Sequence, residues 1–445
     1  MNCSNVIKYS NYVAYSPDGN ALAIAKGVNL VLYASPSMTL LFKHTFSSNI
    51  TYIQFSPDSS MIAVGLFKIN QCEIISVFNT NTLVKINESV HGITNVYWCP
   101  DNSKLLTVSL YNTKITVWNL IDQHANQIIN YISLPKYHDK GIEFSYDEKF
   151  LAVTERKDSK DYIGIYFIGN FKLMSHFVLN TNDMQDMKWS KDNTYLIVID
   201  SVTDNSLYVY SITGNLLFLY EPYQDNFGAM SLQISPCGHF ISVGYGDNTV
   251  RLFHYITYKK ICELQHDINL QIVKENKVKI FKEEDITVDD LTQSKTSKFI
   301  EVEYNTKLFQ ANKSVSTENK DEFNYTEGIF HIEYSSCSKF IATKSNKYNN
   351  IIWIWKVSSL SLFSVIILNK NITAFKWSPF ILSLIIGTDN NKCYMYNINN
   401  IYIIDLPSTP DFQVKKITWN PDGKTFLLQD KYKLILCFSD IELFD

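Results

Sequence analysis

Tyr15-Ser16-Pro17-Asp18-Gly19, Phe55-Ser56-Pro57-Asp58-Ser59 and Trp419-Asn420-Pro421-Asp422-Gly423 are three copies of one phrase. Ser, Pro, Asp and Gly in that order suit a type I turn, because proline presets φ at its second position and glycine accepts the last. The aromatic residue ends the strand entering the turn. Leu22-Ala23-Ile24 or Ile62-Ala63-Val64 begins the strand leaving it. Equivalent anchors stand at Trp98, Phe144, Trp189, Ile234, Tyr334 and Trp377, Ile234 being the only non-aromatic one.

Seven of the eight intervals between these nine anchors are 40–46 residues, and the long one lies between Ile234 and Tyr334. After each turn comes a second apolar strand, as in Val31-Leu32-Tyr33, Val117-Trp118, Val209-Tyr210 and Ile354-Trp355. Short β-branched and aromatic runs divided by turn signals read as antiparallel strands, four to a unit. That period with that content is the signature of an all-β propeller of the WD-repeat type. Asp247-Asn248-Thr249-Val250-Arg251 is the one clear polar turn before a third strand, and the Trp-Asp dipeptide itself is absent. Residues 1–445 therefore read as a single closed ring of about nine four-stranded blades. The last unit ends without a fourth strand, so segment 1–10 is expected to supply it and remove the open sheet edge.

Composition agrees with a β core. Aromatic residues make up 14% of the chain and charged ones only 19%, which argues against general disorder. A net charge of -4 gives no polybasic signal for nucleic acid or acidic lipid. No N-terminal targeting segment is visible. The apolar run 351–368 is broken by Lys356 and several serines, and its place in the seventh unit makes it a pair of buried strands rather than a membrane span. The eight cysteines are scattered singly with no CxxC pair, a pattern that suits reduced thiols in the cytosol. No phosphate loop, nucleophile elbow, HExxH or GxGxxG motif is present, and the nine histidines never take metal-ligand spacing. Neither catalytic groups nor a cofactor or metal are expected.

Two segments depart from the minimal blade. Between the sixth and seventh units, 267–325 is rich in Lys, Glu, Asp, Ser and Asn, and reads as a solvated, mobile loop. Within it, residues 299–304 alternate well enough to form a strand. The segment is open to two readings, a tolerated insertion or a docking arm. In the fourth unit, Glu155-Arg156-Lys157-Asp158-Ser159-Lys160-Asp161-Tyr162 stands where a short turn would suffice. It is either a solvated turn pinned by its own ion pairs or a recognition loop, with Arg156 and Tyr162 as residue types enriched at binding hot spots. Glu155, Arg156, Lys157, Asp158, Lys160, Asp161 and Tyr162 are the candidate protein-binding residues.

With His176-Phe177, Thr181, Asp183 and Trp189, this loop resembles the centrosomal and spindle-pole WD-repeat family known as WD-repeat protein eight, or the WRAP type. Ile115-Thr116-Val117-Trp118, Ala342-Thr343-Lys344, Trp353-Ile354-Trp355 and Val243-Gly244 with Asp247, Val250-Arg251 and Thr257 match as well. The chain departs from the family at Lys356 and in its polar, rather than Pro-rich, insertion. The resemblance implies a non-enzymatic cytoplasmic adaptor at the microtubule-organising centre, part of the cytoskeleton at the centrosome or spindle pole. It implies a coiled-coil anchoring partner, a minus-end-directed kinesin in some lineages, and a role in holding minus ends and organising the mitotic spindle. Other scaffolds remain in play: a translation-initiation-factor-like propeller, or an adaptor of another complex.

Overall fold

The computed structural model describes residues 2–9, 12–78, 82–88, 90–120, 127–222, 228–266, 275, 277–287, 295–304, 328–398, 400–407 and 412–439. Its strands form nine sheets in chain order around one ring, as the period predicts. The first blade runs Val13–Tyr15, Ala21–Lys26, Asn29–Ala34 and Leu40–Thr45 from the centre outward. Each of the others repeats this meander. Because the strands alternate in direction, all Ser-Pro-Asp turns lie on one face. The second-to-third-strand turns and the links between blades lie on the other.

The turn motif has a direct physical account. In the first, second, fourth, fifth, sixth and seventh blades the turn serine is buried, and its hydroxyl accepts the N–H of the residue five positions on. Ala21 N–H meets Ser16 Oγ at 2.8 Å, Met61 meets Ser56 at 2.9 Å and Phe150 meets Ser145 at 2.9 Å. The serine donates in turn to the aspartate, at 2.6 Å from Ser56 to Asp58 and from Ser145 to Asp147. The following residue takes positive φ, and its side chain reaches the turn of the preceding blade. Ser59 Oγ accepts Asp18 N–H at 3.1 Å, Asn102 Oδ1 accepts Asp58 N–H at 3.2 Å, and Asn193 Oδ1 accepts Tyr146 N–H at 2.6 Å. At Gly19, with φ +77°, a Cβ would stand 2.8 Å from Asn420 Oδ1, so only glycine lets the first and ninth turns meet.

The anchors lock the blades at the centre. The indole N–H of Trp189 donates to Glu143 O at 2.9 Å, in the blade before it. Trp98, Trp377 and Trp419 do the same to Gln54, Glu333 and Lys376, at 3.2, 3.2 and 3.3 Å. Trp189 is 1% exposed. The apolar run of the seventh blade is the strand pair Ile351–Lys356 and Ser361–Ile367.

Two blades exceed four strands. Asn2–Cys3 and Ile7–Lys8 both pair with Lys433–Phe438 on the outside of the ninth blade. Leu22 and Ile24 of the first blade pack with Leu427, Leu434 and Leu436 of the ninth, closing the ring. The seventh blade gains Lys279–Thr287, parallel to Ser361–Ile367, and Lys295–Glu301 beyond it. The expectation of a solvated loop across 267–325 is thereby corrected for its described part. The strand expected at 299–304 starts earlier and ends at Glu301. Ile280 and Phe281 are buried, and Glu283 is 1% exposed. Glu283 Oε1 accepts Tyr394 O–H at 2.8 Å and lies 3.1 Å from Lys392 Nζ, while Oε2 accepts Asn369 N–H at 3.0 Å. A carboxylate that reads as loop composition is thus the polar clasp between the insertion and the eighth blade. Positions 267–274, 276, 288–294 and 305–327 lie outside the described residues.

Two predictions follow from these locks. Trp189→Ala should lower unfolding free energy by about 3–5 kcal/mol in urea denaturation, and Trp189→Phe should recover only part of that loss, because it fills the wedge but leaves the Glu143 carbonyl without its donor. Burial would raise the carboxyls of Asp18, Asp58, Asp147 and Asp192, but the turn hydroxyls and main-chain N–H groups hold them below the usual carboxylate range. Groups depressed in the folded state stabilise it above their unfolded pKa, and that stability is lost as pH falls through the folded values. Stability should therefore decline as pH falls below the ordinary carboxylate range of about 4, less steeply in an Asp18→Asn/Asp58→Asn variant.

Candidate functional site

In the fourth blade the second and third strands, Phe150–Lys157 and Lys160–Phe167, are eight residues each and run to the tip of the hairpin. The polar stretch is therefore not a loop, which corrects that part of the expectation. Only Asp158 and Ser159 turn, both at positive φ (50° and 62°), the geometry of a two-residue hairpin whose twist matches its strands. Glu155 faces Tyr162, Arg156 faces Asp161 and Lys157 faces Lys160 across the ladder.

This register decides what each side chain does. Asp161 is fully buried, and its carboxylate is surrounded by donors. Arg156 Nη1 stands at 3.1 Å, Lys136 Nζ at 2.9 Å and the Met184 N–H at 2.8 Å. Arg156 and Lys136 also share Asp183, at 2.6 and 2.8 Å. Burial would raise Asp183, but Lys136 and Arg156 hold its carboxyl below the usual range. Asp200 then fixes the Asn182 and Asp183 N–H groups at 3.1 and 2.9 Å. On the other flank Glu155 accepts Tyr166 O–H at 2.9 Å and lies 3.1 Å from His176 Nε2, whose ring stacks on Tyr162 at 5.2 Å.

Glu155, Arg156 and Asp161 are thus held inside the protein's own network. Lys157, Asp158, Ser159 and Lys160 are exposed, and Tyr162 is half-buried. The structure separates the seven candidates into an internal anchor and a presented tip. His176, Thr181 and Asp183, quoted with this stretch as one resemblance, belong to the same network. Strand direction places the ends of the inserted pair, Thr287 and Lys295, on the face of this tip.

One network was not legible before the fold was known. His266 Nε2 lies 2.7 Å from Thr343 Oγ1, which accepts the Trp355 indole N–H at 2.9 Å; His266 Nδ1 lies 2.9 Å from Asn248 O. It ties the link after the sixth blade into the seventh. The repeated His, Thr and Trp types gave no local signal because 77 residues separate His266 from Thr343. Among the described residues, no cluster of three or more His, Cys, Asp or Glu is placed to hold a metal ion.

Residues 219–254 match the family profile described as WD domain, G-beta repeat. They span the end of the fifth blade and three strands of the sixth, including the polar turn where Asp247 accepts the Thr249 N–H at 3.0 Å and pairs with Arg251 at 2.5 Å. Mouse (Mus musculus) WD repeat-containing protein WRAP73 is 27% identical over 99% of this chain and 96% of its own length. Among solved structures, the C-terminal WD40 domain of Sif2 aligns with a TM-score of 0.54 at 12% identity, over 98% of both chains. A eukaryotic initiation factor aligns with a TM-score of 0.60 at 12% identity, over 88% of this chain and 87% of its own. The chain is an all-β, nine-bladed propeller that carries one matched WD repeat and resembles WD-repeat proteins in sequence and fold.

The split between anchor and tip is testable by stability alone. Asp161→Ala strands Lys136 and Arg156 and should cost about 3–5 kcal/mol. Lys160→Ala should stay within about 0.5 kcal/mol of the parent in the same urea titration.

Proposed function

We propose that this propeller is a non-enzymatic adaptor of the cytoplasmic microtubule-organising centre, seated at the centrosome or spindle pole. It binds a coiled-coil anchoring protein and supports minus-end anchoring and mitotic spindle organisation, with a minus-end-directed kinesin as a further partner. The observation that carries this reading is the end-to-end likeness to mouse WRAP73, joined to the Glu155–Tyr162 motif of the centrosomal family.

The hairpin tip of the fourth blade is the contact this reading favours. A coiled coil exposes alternating charges beside its apolar seam. Lys157 and Lys160 bracket Asp158 on a turn held rigid from below, and Tyr162 adds half-exposed ring surface. Arg156 was the other hot-spot type in this stretch, but it is committed to Asp161 and Asp183, so the proposed contact narrows to the tip. A second reading, a scaffold in an initiation complex, draws on the fold likeness to the initiation factor. At its low identity that likeness concerns fold alone, and the net charge of -4 offers little to ribosomal RNA.

Proximity labelling of the tagged protein in dividing cells tests the choice. Coiled-coil proteins of the spindle pole should dominate the neighbours; ribosomal neighbours in their place would turn the reading to the second. Lys157→Glu combined with Lys160→Glu should reduce partner recovery several-fold and displace the protein from the pole, with stability unchanged to within about 0.5 kcal/mol. Full recovery in that variant would move the contact away from this tip.

A further inference from the structure

The ring is a closed circle made from an open chain, and its join is the pairing of residues 2–8 with Lys433–Phe438. That join is short. Each of the two N-terminal strands is two residues long, and Tyr9 adds one hydroxyl bond to Asp430 O at 2.8 Å. Directly across it, Cys3 is the register partner of Cys437, and their sulfurs are 3.0 Å apart.

The backbone suits a covalent bond at this point. Ser4 N–H donates to Leu436 O at 2.7 Å, so Ser4 and Leu436 form a hydrogen-bonded pair. Pairs alternate along an antiparallel ladder, so Cys3 and Cys437 occupy the neighbouring site without mutual main-chain bonds. There Cα atoms lie at about 4.5 Å, within the span a disulfide bridges. Access differs between the two thiols: Cys3 is half-buried and Cys437 fully buried. Of the other cysteines, Cys393 packs in the same apolar cluster, and Cys237 and Cys337 are exposed on turns of the sixth and seventh blades.

We propose that Cys3 and Cys437 are a paired oxidation site, which a hydroperoxide converts to a disulfide that seals the ring covalently. The Cys3 sulfur attacks the peroxide, giving a sulfenic acid and releasing the alcohol or water. The Cys437 sulfur then displaces water from that sulfenic acid as the S–S bond forms. The two electrons lost by the two thiols reduce one peroxide, and their two protons leave in the products. The bond to Cys3, and then burial, push the Cys437 thiol far above its usual range, so Cys3 is the first to react and Cys437 the one that resolves it. The product ties position 3 to position 437, restricts the unfolded chain and holds the join of the first and ninth blades shut.

The test uses the full-length protein, reduced, then treated with hydrogen peroxide and digested without reductant. Mass mapping should find the Cys3 peptide joined to the Cys437 peptide, and dithiothreitol should release both. The melting temperature should rise by several degrees on oxidation, and Cys3→Ser should remove the rise. The proposal is overturned if Cys3 and Cys437 stay free while Cys237 and Cys337 oxidise, or if Cys3 is found linked to Cys393. An equal rise in Cys3→Ser would overturn it too. Should that variant fail to fold, the peptide map of the parent protein decides the question alone.

Discussion

A tryptophan indole at the end of an innermost strand, reaching the main chain of the blade before it, is the bond on which this ring depends. The inner strands are short, three or four residues in several blades, and too narrow to bury much surface by themselves. The large ring fills the wedge between two blades, and its N–H ties off a carbonyl that would otherwise be buried without a partner. In two places an acidic and a basic side chain double the same lock: Lys188 pairs with Glu143, and Lys376 with Glu333 at 2.6 Å. The phrase Ser-Pro-Asp does at the turn face what the anchor does at the centre, because the side chain of its αL residue accepts a hydrogen bond from the main chain of the neighbouring turn. Periodicity in the sequence is thus the imprint of a contact between blades as much as of the blades themselves.

Such a frame can carry departures without yielding. The inserted strands of the seventh blade add a buried carboxylate at the outer rim, and the eighth blade meets it with Tyr394, Lys392 and the Asn369 N–H. The hairpin of the fourth blade extends past its neighbours and brings Asp161 below the surface, with Lys136, Arg156 and Met184 as its donors. In both cases the buried charge draws partners from an adjoining link or blade, Lys392 and Tyr394 for Glu283 and Lys136 and Met184 for Asp161. Removing one partner leaves the rest uncompensated, which makes these networks rigid and sensitive to substitution.

Those same features mark where sequence reading stops. Blade number and the burial of Phe55, Trp98, Trp189, Tyr334, Trp377 and Trp419 follow from residues within one period, so they were legible; Tyr15, Phe144 and Ile234 are only partly buried. The strand Lys279–Thr287 was not, because Lys282, Glu283, Glu284 and Asp285 give it the composition of a solvated loop, and only the eighth blade shows that Glu283 points inward. The hairpin of the fourth blade was half legible. Its residues were singled out, but their roles turn on register: with Asp158 and Ser159 at the turn, Arg156 falls opposite Asp161, whereas a slip of one residue would send the aspartate to the other side of the sheet. His266 and Thr343 meet only after the chain has passed through the insertion.

The register also changes what a shared motif means. Glu155, Arg156, Asp161, His176, Thr181 and Asp183 carry the likeness of this stretch together with Lys157, Asp158, Lys160 and Tyr162, and those first six are hydrogen-bonded within the protein itself. A network so coupled has a physical reason to recur in any chain that builds the same hairpin, whatever that chain binds. Likeness in these positions speaks first for a common structure. Under the proposed contact, choice of partner would rest with what the network presents, Lys157, Asp158, Ser159 and Lys160, where substitution costs little stability. A relative that keeps the anchor but reverses the charges of the tip should fold alike and bind differently.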